Sequence, residues 1–170
     1  RTTNGGTNWI AQVAPVGGRL DGVSFTDAQN GTAVGAGIIL RTTDGGATWT
    51  SQADPSTWLS SVSFTDANNG TAVGDHGTIM RTTNGGATWT FLSGGSTATL
   101  MGVSFSDAEN GTAVGSYGAI LRTTNGGTTW AEQSGGIGYD LLSVSFSGPD
   151  NGTAVGQAGT IISTTNGGDS

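Results

Sequence analysis

Cysteine and lysine are both absent from these 170 residues. Without cysteine there is no disulfide framework and no thiol chemistry. The basic residues are only Arg1, Arg19, Arg41, Arg81 and Arg122, and against 12 acids they leave a net charge of −7. That balance argues against nucleic acid or an anionic membrane surface as partner. No apolar run approaches the roughly 20 residues of a membrane span. No segment shows a sustained helical period, and a signal peptide is not evident. The sequence begins at Arg1 rather than Met, so the expectation is a processed, trimmed or excised piece of something longer.

What is abundant is glycine, with 32 residues, together with threonine, serine and five tryptophans. Regular apolar positions set the chain apart from a low-complexity sequence and suit a packed β protein rich in tight turns. One motif recurs. Thr42, Asp44, Gly46, Thr48 and Trp49 mark its fullest copy, and residues 2–9, 82–89 and 123–130 repeat it, ending in Trp9, Trp89 and Trp130. A further copy starts at Thr164 and reaches no Trp. The Asn-Gly or Asp-Gly pair predicts a type I′ hairpin with φ > 0 at both central positions, the flanking Thr and Thr-Trp pairing across it. Each Trp is expected to be a buried anchor.

The repeats run 1–40, 41–80, 81–121 and 122–162, with a partial repeat at 163–170, all within one domain. After the motif comes a variable stretch. A Val-Ser-Phe strand follows (A), then a turn ending Asn-Gly, a Thr-Ala-Val-Gly strand (B), a Gly turn and an Ile-rich strand (C). The residues from Trp onward supply the fourth strand (D). Four short strands per roughly 40 residues is the pattern of a β-propeller blade, so the fold is read as an all-β propeller of four blades. Residues 8–13 offer a D strand with no A, B or C before it, and residues 141–165 offer A, B and C with no D after them. The ring is expected to close by joining the two, within one chain or between two chains.

Residues 42–49 match the Asp-box, or bacterial neuraminidase repeat, and the surrounding pattern resembles the repeat of the photosystem II stability and assembly factor family. The resemblance covers essentially the whole chain and implies an Asp-box β-propeller. Asn4, Asn84, Asn125 and Asn166 replace the box Asp, and Thr32, Thr71, Thr112 and Thr153 stand where the family often has an aromatic residue. A role in photosystem assembly is what the resemblance implies for function.

The candidate chemistry is sparse. Arg41, Arg81 and Arg122 hold one repeat position and are expected to serve the repeat rather than bind an anion. Asp27, Asp66, Asp107 and Asp150 fall in the A–B turns and are expected to bond their own turn backbone rather than a metal ion. His76 lies alone in a turn, and the four Asn-Gly-Thr sequons at Asn30, Asn69, Asn110 and Asn151 read as turn formers. Sialidase catalysis needs three arginines converging on a carboxylate, a Tyr nucleophile and acid partners. Only Arg19 lies outside the repeat register, and Tyr117 and Tyr139 sit on different blades. No catalytic, cofactor or metal site is expected.

Specificity should reside where the repeats differ, in the D–A connections and B–C turns, including residues 14–19, 53–58, 93–99 and 134–139. Trp58, Tyr117, Tyr139 and Arg19 are the candidate binding residues there. The expected function is a non-enzymatic scaffold for protein binding or assembly, exported, periplasmic or on a cell surface. A carbohydrate-binding or sialidase-related propeller, and a purely structural repeat module, natural or engineered, stay open beside it. The expected partners are a protein or a glycan, and a homodimer forming an eight-bladed ring is a further expectation.

Overall fold

The structure is a computed structural model and describes residues 1–53 and 55–168; Asp54 of the second variable connection, and Asp169 and Ser170 of the partial repeat, lie outside the described residues. The chain forms antiparallel meanders, one per repeat. Blade I holds β1 (Leu20–Phe25), β2 (Gly31–Gly35), β3 (Ile38–Thr42) and β4 (Thr50–Ala53). Blade II holds β5 (Leu59–Phe64), β6 (Gly70–Gly74), β7 (Thr78–Thr82) and β8 (Thr90–Ser93). Blade III holds β9 (Leu100–Phe105), β10 (Gly111–Gly115), β11 (Ala119–Thr123) and β12 (Ala131–Ser134). Among the described residues, blade IV holds β13 (Leu141–Phe146), β14 (Gly152–Gly156) and β15 (Ile161–Thr164). Among the described residues no helix is long and apolar enough to cross a membrane.

The Thr-Ala-Val-Gly strands owe their composition to burial on both faces. In β2, β6 and β10 every residue is buried. Alternation sends Ala one way and Thr and Val the other, so successive blades interlock. Val34 and Ile39 of blade I pack with Leu59, Val62, Ala72 and Met80 of blade II. Val73 and Ile79 of blade II pack with Leu100, Val103, Ala113 and Leu121 of blade III. Val114 of blade III packs with Leu141 and Ala154 of blade IV. Each blade thus presents a Val-Ile face forward and receives the preceding blade on a Leu-Val-Ala face. Serine hydroxyls add cross-links between the inner strands: the Phe64 N–H donates to Ser24 Oγ at 3.2 Å and the Val103 N–H to Ser61 Oγ at 3.3 Å.

The strand assignments for A, B and C stand, and three expectations are corrected. First, the box is not a two-residue type I′ hairpin at Asp-Gly. Both residues with positive φ are glycines, Gly45 at 68° and Gly46 at 82°, and the strands on either side end at Thr42 and resume at Thr50. Asp44 closes this longer loop with its side chain. Second, Trp49, Trp89 and Trp130 are half-buried rather than buried, because Trp89 and Trp130 lie at the rims of interblade cores and Trp49 at the rim of the cluster on blade I itself. Each meets a Phe of its own blade edge-on, at 6.1 Å for Phe25–Trp49, 6.0 Å for Phe64–Trp89 and 6.0 Å for Phe105–Trp130. Third, residues 8–13 form no strand, and among the described residues none pairs with the outer edge of β15. A D strand forms only against the edge of a C strand, and β15, which among the described residues pairs with β14 alone, lies at the other end of the row of blades.

Candidate functional site

The two ends of the blades are chemically different. One end carries the boxes and the A–B turns, joined by backbone bonds such as Gly45 N–H to Gln29 O at 2.8 Å and Gly126 N–H to Glu109 O at 2.9 Å. Its polar side chains are consumed locally. Thr42 accepts the Gly46 N–H at 2.8 Å and donates to Asp44 at 2.8 Å, while Asp44 accepts the Thr48 N–H and hydroxyl at 2.9 and 2.6 Å. The Thr48 hydroxyl above all, then the Thr48 N–H and the Thr42 hydroxyl, hold the Asp44 carboxyl down at about 2. Asp27, Asp66 and Asp107 bond the N–H groups of their own turns, and the same bonds lower their pKa values. In Asp27 and Asp66 the largest cause is the amide side chain of Asn30 or Asn69. In Asp107 it is the Asn110 N–H. No cluster of three metal-ligating side chains occurs among the described residues.

The repeated arginines are also committed. Arg81 Nε donates to Gly126 O of the next box at 2.7 Å. Arg122 donates to Pro149 O of blade IV at 3.1 Å and lies over the Phe146 ring at 5.6 Å. Arg41 bonds Asn30 Oδ1 at 3.2 Å. Their partners are carbonyls and amides, and the first two clasp a blade to its successor.

The opposite end carries the B–C turns and the variable D–A connections. The two are stitched together, by Gly37 N–H to Thr57 O at 3.0 Å and Gly77 N–H to Ala98 O at 2.8 Å. The closing glycine of Thr-Ala-Val-Gly permits this approach: a Cβ at Gly74 or Gly115 would strike the carbonyl oxygen of Trp58 or Thr99. Here the structure brings two of the sequence candidates together. Arg19 Nε meets Asp21 Oδ1 at 2.6 Å, and its guanidinium carbon lies 4.9 Å from the Trp58 ring centroid. The Trp58 indole N–H donates to Asp21 Oδ2 at 2.8 Å. Asp21 is the enclosed member of this triangle, its side chain 11% exposed against 68% for Arg19. A shallow cleft continues from it along Ser60, Asp75, Thr99 and Met101.

Sequence reasoning missed Asp21, Ser60 and Met101, and the reason is a register slip. Each inner strand carries a β-bulge: pairing jumps from Leu20 to Gly22, Leu59 to Ser61, Leu100 to Gly102 and Leu141 to Ser143. The skipped residues are Asp21, Ser60, Met101 and Leu142. Bulges re-aim a side chain, and the first three face the cleft. The signal was present as the more variable of the two free positions inside an otherwise constant Leu-x-x-Val-Ser-Phe. Tyr117 and Tyr139 do not join the cluster. Both are exposed on the same end but farther along: Tyr117, at φ 57°, lines a separate depression with Ile137 and Glu132, and its N–H donates to Asp140 at 2.9 Å. His76 is an exposed turn residue.

The comparisons with known proteins agree on the architecture. The profile of the family described as Photosynthesis system II assembly factor YCF48 matches residues 1–93 and 92–170. Among solved structures, YCF48 from Cyanidioschyzon merolae superposes over 91% of this chain and 52% of its own, with 20% identity and a TM-score of 0.73. A YCF48 bound to D1 peptide covers 85% of this chain and 48% of its own, with 24% identity and a TM-score of 0.70. An ancestral GH74 enzyme covers 89% of this chain and 23% of its own, with 17% identity and a TM-score of 0.74. The chain therefore spans about half the length of the YCF48 structures it matches. No match is found among curated protein sequences. The family match runs across both halves of the chain, and the protein belongs to the photosystem II assembly factor YCF48 family.

Proposed function

We propose that the chain is a non-enzymatic scaffold that holds an extended peptide segment of a client protein across the end carrying Arg19, Asp21 and Trp58. The observation that carries this reading is the convergence of the variable bulge residues on one cleft beside an exposed aromatic ring. The inner strands keep their Leu and Val-Ser-Phe positions constant while the bulge residues that face the cleft differ, as a recognition surface on a fixed frame does. The Trp58 face offers stacking area, and Asp75 adds a carboxylate at the rim for a basic or N–H group of the peptide. A YCF48 that binds a D1 peptide supports a client of photosystem II type. Asp21 is a poor general acid or base, because one oxygen takes the Arg19 guanidinium and the other the Trp58 N–H.

Calorimetric titration with a D1 peptide tests the reading. Binding should be measurable and weaken by at least about 10-fold in Trp58→Ala, the scale of an aromatic anchor at an interface. No heat with the unaltered chain, or equal affinity in the variant, would sink it. The aromatic face also suits sugar stacking, as the GH74 likeness in fold brings to mind. Oligosaccharide binding that is lost in Trp58→Ala, with no peptide binding, would move the conclusion there.

A further inference from the structure

Resting on the peptide-scaffold reading above, we propose that the client segment crosses three blades, running from the Trp58 cleft over His76 to a second aromatic anchor, the ring of Tyr117. The backbone of that end is one bonded belt. Ala36 bridges to Trp58, and the Asp75 N–H donates to Trp58 O at 3.0 Å. Next along the belt, the Gly77 N–H donates to Ala98 O at 2.8 Å and the Ser116 N–H to Thr99 O at 2.9 Å. The Gln157 N–H donates to Asp140 O at 2.9 Å. B–C turns and D–A connections therefore alternate without a gap from blade I to blade IV. Thr99 lines the Trp58 cleft, and its neighbour Ala98 lines the depression beside Tyr117. The two hollows are consecutive stretches of one face.

The fold gives no reason for a ring at position 117. Tyr117 holds φ 57° and ψ 27°, the left-handed region that glycine enters freely and other residues enter at a cost. His76, at φ 55°, holds the same turn position in blade II. A turn that had only to close would form more readily with glycine there. Nor does the Tyr117 ring pack, since it is 81% exposed. Its backbone is nevertheless fixed. The Tyr117 N–H donates to Asp140 Oδ1 at 2.9 Å, and Asp140 Oδ2 takes the Gln157 side-chain amide at 3.0 Å. A Cβ at the adjacent Gly118 would strike the carbonyl oxygen of Ile137. Trp58 is held in the same manner, its indole N–H on Asp21 and its ring on Arg19. Two rigidly based rings, with the exposed His76 on the turn between them, form a row across blades I, II and III. Such a base limits the ordering that binding must impose.

The two hollows repeat one chemistry, and an extended peptide matches it. Asp75 lines the first and Glu132 the second, and neither carboxylate has a partner among the described residues. Both repel a polyanion and accept N–H or ammonium groups. Met101 gives the first hollow an apolar side and Ile137 gives one to the second. The backbone groups of Gly136 and Ile137, also in the second, bond nothing among the described residues and are open to the peptide groups of a client. Each hollow thus takes one side chain of the segment, and the residues between lie over His76 and Thr99.

The test is calorimetric titration of this chain with a D1 peptide and with the same peptide shortened stepwise from each end. Tyr117→Gly should weaken binding by at least about 5-fold. Its melting midpoint should stay level or rise, because the substitution relieves the left-handed turn and removes no packing. Tyr117→Phe, which keeps the ring, should bind like the parent. Shortening from one end should lose the same factor at a defined length. Beyond that length Tyr117→Gly should have no further effect, while Trp58→Ala still weakens binding. No heat with the unaltered chain, or full affinity in Trp58→Ala, would sink the scaffold reading and the second anchor with it. Binding that depends on Trp58 but is unmoved by Tyr117→Gly would overturn the second anchor alone. So would a Tyr117→Gly loss that is the same for every peptide length.

Discussion

Asp44 sits where the other boxes carry Asn, and the geometry explains why both serve. Asp44 accepts the Thr48 hydroxyl at 2.6 Å, whereas Asn84 turns its amide nitrogen to donate to Thr88 Oγ1 at 2.9 Å. A threonine hydroxyl works in either direction, and both side chains accept the N–H four residues on at 2.9 Å. The difference is a charge. The folded pKa of Asp44, about 2, lies below the ordinary value near 3.8. Its contribution is therefore present above about pH 4 and is lost as the pH falls through about 2. Asp27, Asp66 and Asp107 are lowered in the same direction and act in the same acid range. In Asp44→Asn the calorimetric melting midpoint should stay within about 2 °C of the parent at pH 7. It should fall less than the parent's between pH 4 and 2. Parallel curves for the two proteins across that range would refute the assignment. The candidate site was half legible at this scale. Arg19 and Trp58 stood out because they break the repeat, but Asp21 was hidden inside a strand whose bulge shifts no residue type and leaves only a variable letter.

Within each blade the most constrained element is strand B, and its closing glycine shows why. In Gly115→Ala the new Cβ would meet the carbonyl oxygen of Thr99, which itself accepts the Ser116 N–H at 2.9 Å, so the backbone must move. The expected loss is about 1–3 kcal/mol, the range for overpacking. Gly138→Ala, in a connection where a Cβ meets nothing within 4 Å, should change stability by less than about 0.5 kcal/mol. Denaturant melts of the two variants compare them directly, and equal losses would refute the argument. Strands A, B and C were legible because each repeats with its period and its flanking turns. The box loop was misread because Asp-Gly and Gly-Gly overlap: the strongest local turn signal sits one residue before the pair that takes positive φ. Residues 8–13 were read as a strand from their place in the repeat, yet a strand is a property of a pair of edges, and no partner edge lies next to them among the described residues.

The whole molecule is a row of like units, each stabilised by its neighbours, so stability should be graded along it rather than uniform. β6 and β10 are packed on both faces by other blades. By contrast, β14 has Thr153 and Val155 exposed, and among the described residues β15 has no strand on its outer edge. Amide exchange reports the local opening free energy. In dilute solution, amides of β6 and β10 should therefore exchange slowest and those of β14, β15 and residues 10–13 fastest. A flat profile from β2 to β15 would show that the blades unfold as a single cooperative unit.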